Sequence, residues 1–323
     1  MKDTIAVIGA GISGLVFARE MQAAGASVVV LEKGRGVGGR MATKRIGAAA
    51  FDQGAQFFTT RSPEFERLAA EWTALGAVAP WPGSAHRRSI GTNGMTSVPK
   101  VLGEGLKIMR EHKVTRVRRH SGGSWEVEIE EHGVMRAERL VLTAPVPQSL
   151  ALLEAGDVAL PEETRTGLAA LRYDPCLALL VVLSGESAVP ADGVALESGS
   201  IRWIADNTKK GISPGVAAAL TIHASPEFSA LHYGKTEAEV TALLLPAAER
   251  FLGAPVVSAT LHRWKFSEPR VTHAERCVWL DDLALGFAGD AFGGPRVEGA
   301  VLSGLALAGR VKPTLRALPG NER

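Results

Sequence analysis

Cysteine is scarce in this chain of 323 residues: there are two, Cys176 and Cys277, and no CxxC. That excludes a disulfide framework and a thiolate metal centre, and it is compatible with a reducing compartment. Neither sign of charge is in excess, since 36 Lys and Arg against 34 Asp and Glu leave +2 with His neutral. Nothing global therefore argues for nucleic acid or an anionic membrane as a partner. Long apolar runs are missing as well. The run CLALLVVL, Cys176 to Leu183, has the length of a strand, well short of the ~20 residues that a membrane-spanning helix needs. MKDTIAVIGAG at the N-terminus enters a strand pattern at once, without the long apolar region and cleavage site of a secretory leader. The expectation is a cytoplasmic protein without membrane or nucleic-acid partner. With no apolar surface stripe standing out, a monomer is expected. No Ser/His or His/Asp constellation of the hydrolase kind is visible, and no metal site is expected.

What is present begins with a β-α-β unit. TIAVIGAG is a short β-rich apolar run ending in glycine, ISGLVFAREMQAAG follows with apolar residues near helical spacing, and SVVVLE reads as a second buried strand. Gly9-Ala10-Gly11-Ile12-Ser13-Gly14 is GxGxxG between that strand and helix. In such a turn the glycines let backbone approach a pyrophosphate, and the helix N-terminus faces the phosphates. Glu32 ends the second strand, eighteen residues after Gly14, where an acid accepts hydrogen bonds from ribose hydroxyls and disfavours a 2′-phosphate. FAD and NAD remain. The stretch LEKGRGVGGRMATKR, Leu31 to Arg45, holds five basic residues and four glycines. Its Gly38-Gly39-Arg40 offers a second close backbone approach and a guanidinium for a phosphate, which a plain NAD site does not need. This favours FAD. Lys33, Arg35, Lys44 and Arg45 can equally form a solvated face.

Further along, Ser62 and Pro63 open a helix, and KVTRVRRHSGGSWEVEIEEHG alternates around a Gly-Gly turn as a hairpin. From about Leu150 the texture changes to strands such as CLALLVVL, IRWIADN and VAAALTIHAS mixed with helices such as TEAEVTALLLPAAERFLG. LALGFAGDAFGG returns to the buried-strand style, and RVEGAVLSGLALAGRVK is a closing helix. The expected fold is α/β: a discontinuous Rossmann-like FAD-binding domain of glutathione-reductase type, with a second α+β substrate domain on an antiparallel sheet. The expected boundaries are 1–57, 95–150 and 270–318 for the first domain, and 58–94 and 151–269 for the second.

VIGAGISGLVFAREMQAAGASVVVLEKGRGVGGRMAT resembles the N-terminal signature of glutathione-reductase-like flavoproteins. It is closest to the branch of amine oxidases, phytoene desaturases and protoporphyrinogen oxidase. With FDQGAQFFTTR, NGM, HRWKFSEP and GDAFGGPRVEGAVLSG added, the chain resembles the bacterial renalases over nearly its whole length, more thinly between about Leu150 and Ala259. The resemblance implies FAD, here non-covalent because the C-terminal motif has no cysteine. The residues it implies at the cofactor are Gly9, Gly11, Ile12, Ser13, Gly14, Glu32, Lys33, Gly39, Arg40, Met41, Gln53, Gly54, Ala55, Gln56, Val114, Ala144, Trp264, Gly289, Asp290, Arg296, Val297, Glu298 and Ala300. Asp290 is implied at the ribitol or pyrophosphate. The helix starting near Val297 is implied to point its positive end at the pyrimidine edge of the flavin.

The same resemblance implies an FAD-dependent oxidoreductase, an oxidase that takes hydride from the 2- and 6-dihydro isomers of NAD(P)H. It passes electrons to O2, so the partners are a dihydronicotinamide dinucleotide and O2. Such a reaction needs an oriented substrate rather than a general base. Gln56, Phe58, Trp203, His223 and Trp264 are the candidates for the catalytic pocket; the two tryptophans compete with a core role and His223 with that of a satisfied histidine. Arg296 can contact the flavin or a substrate phosphate, or pair with Glu298. Lys265 is a candidate for the lysine that holds water in amine-oxidase relatives, unless strand alternation turns it away from Trp264. Lys209 and Lys210 suggest, by charge alone, a substrate phosphate site. Two other functions stay open: an amine oxidase or desaturase on the same frame, and a flavin- or dinucleotide-binding protein without turnover.

Overall fold

The structure, a computed structural model, describes residues 4–315. Residues 1–3 and 316–318 of the expected first domain lie outside the described residues. The chain divides into two compact units. The first comprises the described residues of Met1–Gly39, Leu102–Leu171 and Val271–Arg323; the second comprises Arg40–Val101 and Arg172–Arg270.

The first unit is built on a six-stranded sheet. Its centre is the unit read from the N-terminal sequence: β1 (Thr4–Ile8), α1 (Ile12–Ala23) and β2 (Ser27–Glu32). β1 pairs in parallel with β2 on one side and with Arg139–Leu142 on the other. Lys107–Arg110 extends the sheet beyond β2, and Leu285–Phe287 extends it beyond Arg139–Leu142, both in parallel. Val278–Leu280 closes that edge antiparallel. β1 and Arg139–Leu142 are buried almost throughout, as strands covered on both faces must be. The late strand Leu285–Phe287 makes the unit discontinuous in sequence.

The expected hairpin is present as Val114–Arg119 and Trp125–Ile129, turning with Gly123 at φ 81°. A third strand, Gly133–Ala137, completes that small sheet. The closing helix is Val297–Val311, packed on α1.

The second unit has a five-stranded sheet in the order Val194–Ala195, Ile201–Asp206, Ala218–Ala224, Arg172–Leu183, Val256–Val271. The first three pairings in that order are antiparallel. Its core lies between this sheet and the helix Glu237–Leu252, and Leu179, Val181, Leu220, Ile222, Val240 and Leu244 are buried there. A capping box at Thr236 and Glu239 starts that helix, and left-handed Gly253 ends it. Ser62 caps the helix Pro63–Ala74 by accepting from the Phe65 N–H at 3.3 Å.

The basic stretch ends in a strand. Thr43–Ile46 (β3) and Ala49–Asp52 (β4) form a hairpin. Ser213 Oγ accepts from Ala50 N–H and Asn207 Oδ1 accepts from Asp52 N–H, which ties the hairpin into the second unit. For that reason residues 40–57, and 95–101 with them, fall in the second unit rather than with 1–39. Residues 151–171 fall in the first, where the helix Val146–Glu154 packs on Val114–Arg119. No helix of the described residues is long and apolar enough to cross a membrane.

Candidate functional site

The candidate residues fall into two groups, one on each unit. In the first unit β1 delivers the chain to Gly9 at φ 109°, a conformation that an L side chain resists. A Cβ on Gly14 would meet the Gly9 carbonyl oxygen at 2.2 Å and Thr143 Oγ1 at 2.8 Å, so the first turn of α1 sits tight on the strand ends. Gly11 is the N-cap and supplies no side-chain acceptor to the first-turn N–H groups, and a Cβ on it would meet nothing within 4 Å. Ser13, in that first turn, has a buried Oγ without a hydrogen-bond partner. A helix N-terminus with uncapped N–H groups, open space at its glycine and a buried unpaired hydroxyl fits a pyrophosphate.

Glu32 holds this cradle together. Its Oε2 accepts from Ala10 N–H at 2.9 Å and its Oε1 from Gly34 N–H at 2.7 Å. A carboxylate has about four acceptor positions, so two remain for ribose hydroxyls. Gly38 N–H donates to the Ala10 carbonyl at 2.8 Å, which brings the Gly38-Gly39 turn beside the GxGxxG loop. Ala144 lies next to Gly9. Val114 starts its strand two residues after His112, whose N–H donates to the Glu32 carbonyl. Lys33 is exposed and reaches Gln148, and Arg35 is exposed.

At the far end of the chain, Gly289 N–H donates to Ser303 Oγ at 2.9 Å, and Asp290 is buried at the start of the short helix Asp290–Gly293. Arg296 is the exposed N-cap of Val297–Val311, with no side-chain cap bond; Glu298 and Ala300 are buried in the first turn.

The second group gathers around Asp52–Gln56. A Cβ on Gly54 would meet the Arg40 carbonyl oxygen at 2.1 Å, and the Ala55 N–H donates to that same oxygen at 2.9 Å. Arg40 Nη1 donates to the Ser267 carbonyl at 3.1 Å, and Met41 is buried. The Gln53 carbonyl accepts twice, from His223 Nε2 at 3.1 Å and Trp264 Nε1 at 2.9 Å. A carbonyl only accepts, so the His223 proton sits on Nε2. Burial pushes His223 down to about 4, which keeps the imidazole neutral at pH 7. The Oε1 atoms of Gln53 and Gln56, and Nε1 of Trp203, are buried without a partner. Trp203 and His223 line one cleft together with Arg202, Cys176, Ser267 and Glu268. Phe58 is buried edge-on against Phe65 and Trp72. Lys265 is exposed, on the strand face opposite to Trp264.

Beneath this group is an ion pair with no exposed side-chain surface, Lys210 Nζ to Asp52 Oδ2 at 2.5 Å. Lys210 also donates to the Gln56 carbonyl, and Gln56 Nε2 to the Asp52 carbonyl. This corrects the expectation from NTKKG. Lys210 is buried and paired, and Lys209 Nζ donates to the Ser187 and Val189 carbonyls at 2.8 Å each, so the polar interior of the second unit has engaged both amines. No spacing in the sequence links Asp52 to Lys210, so this pair is visible only in the structure.

A glycine-cradled helix N-terminus beside an acid with acceptor positions to spare, followed by a second glycine turn, fits an adenine dinucleotide. Residues 7–72 match the model of the NAD(P)-binding Rossmann-like domain, and residues 78–312 match that of the flavin containing amine oxidoreductases. The chain belongs to the flavin containing amine oxidoreductase family, and FAD is its cofactor. It is 27% identical over 301 residues to mouse (Mus musculus) renalase, covering 84% of this chain and 87% of that protein. Among solved structures, it resembles a putative protoporphyrinogen oxidase from Exiguobacterium sp. 255-15 with TM-score 0.77 and 14% identity, over 97% of this chain and 99% of that one. It resembles cyclohexylamine oxidase from Brevibacterium oxydans IH-35A with TM-score 0.71 and 14% identity, over 98% and 100% of the two chains.

Proposed function

We propose that this FAD-dependent oxidoreductase is an oxidase of renalase type. Its substrates are the 2- or 6-dihydro isomers of NAD(P)H. Each turnover consumes one dihydronicotinamide, one O2 and one proton from solvent, and yields NAD(P)⁺ and H2O2. When bound, FAD supplies the hydride acceptor at N5 and the route by which both electrons reach O2.

The observation that carries this reading is that the basic groups around Gln53 are already engaged by protein acceptors. His223 is a neutral donor already engaged by a carbonyl, and the Lys210 amine is engaged by Asp52 and Gln56. Neither is placed to take a proton from a substrate. A neutral dihydropyridine needs none taken, because loss of hydride alone gives the aromatic pyridinium, whereas an ammonium substrate must first lose a proton. The unpaired amide oxygens of Gln53 and Gln56 suit a carboxamide N–H of the kind a nicotinamide carries. The overlap with mouse renalase supports the same reading.

Anaerobic mixing of the oxidised holoenzyme with 6-dihydro-NAD, 2-dihydro-NADP and a panel of primary and secondary amines tests it. Rapid bleaching of the flavin band by at least one dihydronicotinamide isomer is expected. Bleaching by amines and by neither isomer would replace this reading with amine oxidation.

A further inference from the structure

We infer that Arg88 is a specificity-determining residue: its guanidinium fills a three-ring aromatic box and so denies that box to a substrate ammonium group. The consequence for substrate choice rests on the reading above; the occupancy of the box does not.

The box is made of Phe57, Trp81 and Trp203. Ring centroids are 5.7 Å apart for Phe57 and Trp81, 5.6 Å for Phe57 and Trp203, and 6.3 Å for Trp81 and Trp203, with tilts of 60°, 52° and 71°. Arg88 Cζ lies 4.5 Å from the Phe57 centroid, 5.2 Å from that of Trp203 and 5.8 Å from that of Trp81. Three electron-rich faces around one cation are the arrangement that recognises alkylammonium groups.

The box adjoins the candidate pocket within the second unit. Phe57 follows Gln56 directly, and Trp203 lines the cleft that His223 also lines. The two tryptophan side chains have partners other than the arginine. Trp81 Nε1 donates to the Ala191 carbonyl at 2.9 Å, and a Cβ on Gly193, at φ 71°, would meet the Trp203 ring at 2.6 Å. Arg88 lies on the same loop as Trp81. It closes the stretch 81–88 through Trp81 N–H to its own carbonyl at 2.9 Å, and Nη1 donates to the Asp192 carbonyl at 2.6 Å. The Asp192 carboxylate lies 3.9 Å from the guanidinium, so the cation is held by charge as well as by the rings. An amine would have to displace a tethered cation of the same sign, while a neutral dihydropyridine does not compete for the position.

The test is calorimetric titration of the oxidised holoenzyme with phenyltrimethylammonium, which has no N–H and cannot be turned over. The wild type, Arg88→Ala, Arg88→Ser as a second truncation, and Arg88→Ala combined with Trp203→Leu are compared. Truncation is expected to tighten binding at least about tenfold, in keeping with a desolvated cation–ring contact, and Trp203→Leu is expected to abolish the gain. The inference is overturned if the folded truncations bind no tighter than the wild type, or if the gain survives loss of Trp203. Failure of the dihydronicotinamide reading would instead show in wild-type bleaching, where no Arg88 variant is involved.

Discussion

The buried Lys210–Asp52 pair makes the sharpest test of how the second unit holds its polar residues. Lys210→Met keeps the apolar stem and removes the charge. It leaves the Asp52 carboxylate with no exposed surface and only neutral donors, Thr43 Oγ1 at 2.6 Å and Met95 N–H at 2.8 Å. It also removes the donor to the Gln56 carbonyl. Breaking one side of a buried pair costs about 3–5 kcal/mol, because the surviving charge is stranded. At about 2–4 °C per kcal/mol for a domain of this size, the melting temperature should fall by about 6–20 °C. Asp52→Asn added to Lys210→Met removes the stranded charge. The double variant should therefore be more stable than Lys210→Met alone, with a coupling of about 1–3 kcal/mol. Thermal unfolding followed by tryptophan fluorescence, at one fixed excess of FAD so that ligand linkage is constant, reads the wild type, Lys210→Met, Asp52→Asn and the double variant. A shift below about 2 °C for Lys210→Met, which is under 1 kcal/mol on the same scale, would refute the reasoning. So would a double variant whose losses simply add.

Ser13→Ala should weaken FAD binding by about tenfold, the worth of a hydrogen bond to a charged group, without lowering apoprotein stability, since the buried Oγ has no protein partner to lose; flavin fluorescence titration and apoprotein melting read the two effects separately. Gly14→Ala places a Cβ 2.2 Å from the Gly9 carbonyl oxygen and should abolish FAD retention during purification, seen as a colourless preparation. Burial pushes His223 and His262 down from 6.5 to about 4 in the folded chain. The unfolded state then binds protons first as pH falls. The stability contributed by the neutral imidazoles is complete above about 6.5, declines from there toward pH 4 and is gone below both values. His223→Gln should flatten part of that decline in melting temperature, and an unchanged slope would show that the imidazole is not held neutral.

The sequence by itself determined the β-α-β frame, the GxGxxG turn, Glu32 at the end of β2, the cap at Ser62, and the antiparallel texture after Leu150. All of these are local: a period of apolar residues, a glycine where backbone must pass close, a hydroxyl ahead of a helix. The short hairpin Thr43–Ile46 with Ala49–Asp52 has no signature in the sequence, because four-residue strands in a basic stretch carry too little alternation. Glu32 shows the limit from another side. Its position was legible, but its two bonds to Ala10 and Gly34 N–H, which shape the cradle before any ribose binds, were not.

Tertiary structure alone decided how the second group is joined. Lys210 is 158 residues from Asp52, and Trp264 is 211 residues from the Gln53 carbonyl it donates to. Charge suggested a phosphate site at Lys209 and Lys210. The fold turned one amine inward to a carboxylate and the other onto two carbonyls, because a buried carboxylate must be paired and free carbonyls satisfied. Arg88 likewise reads as one charge among several in AHRRS, and only the assembled unit places Phe57, Trp81 and Trp203 around it. Local patterns record what each segment must do on its own; which distant charge or ring it meets depends on sheet order and burial, which no single window of sequence contains.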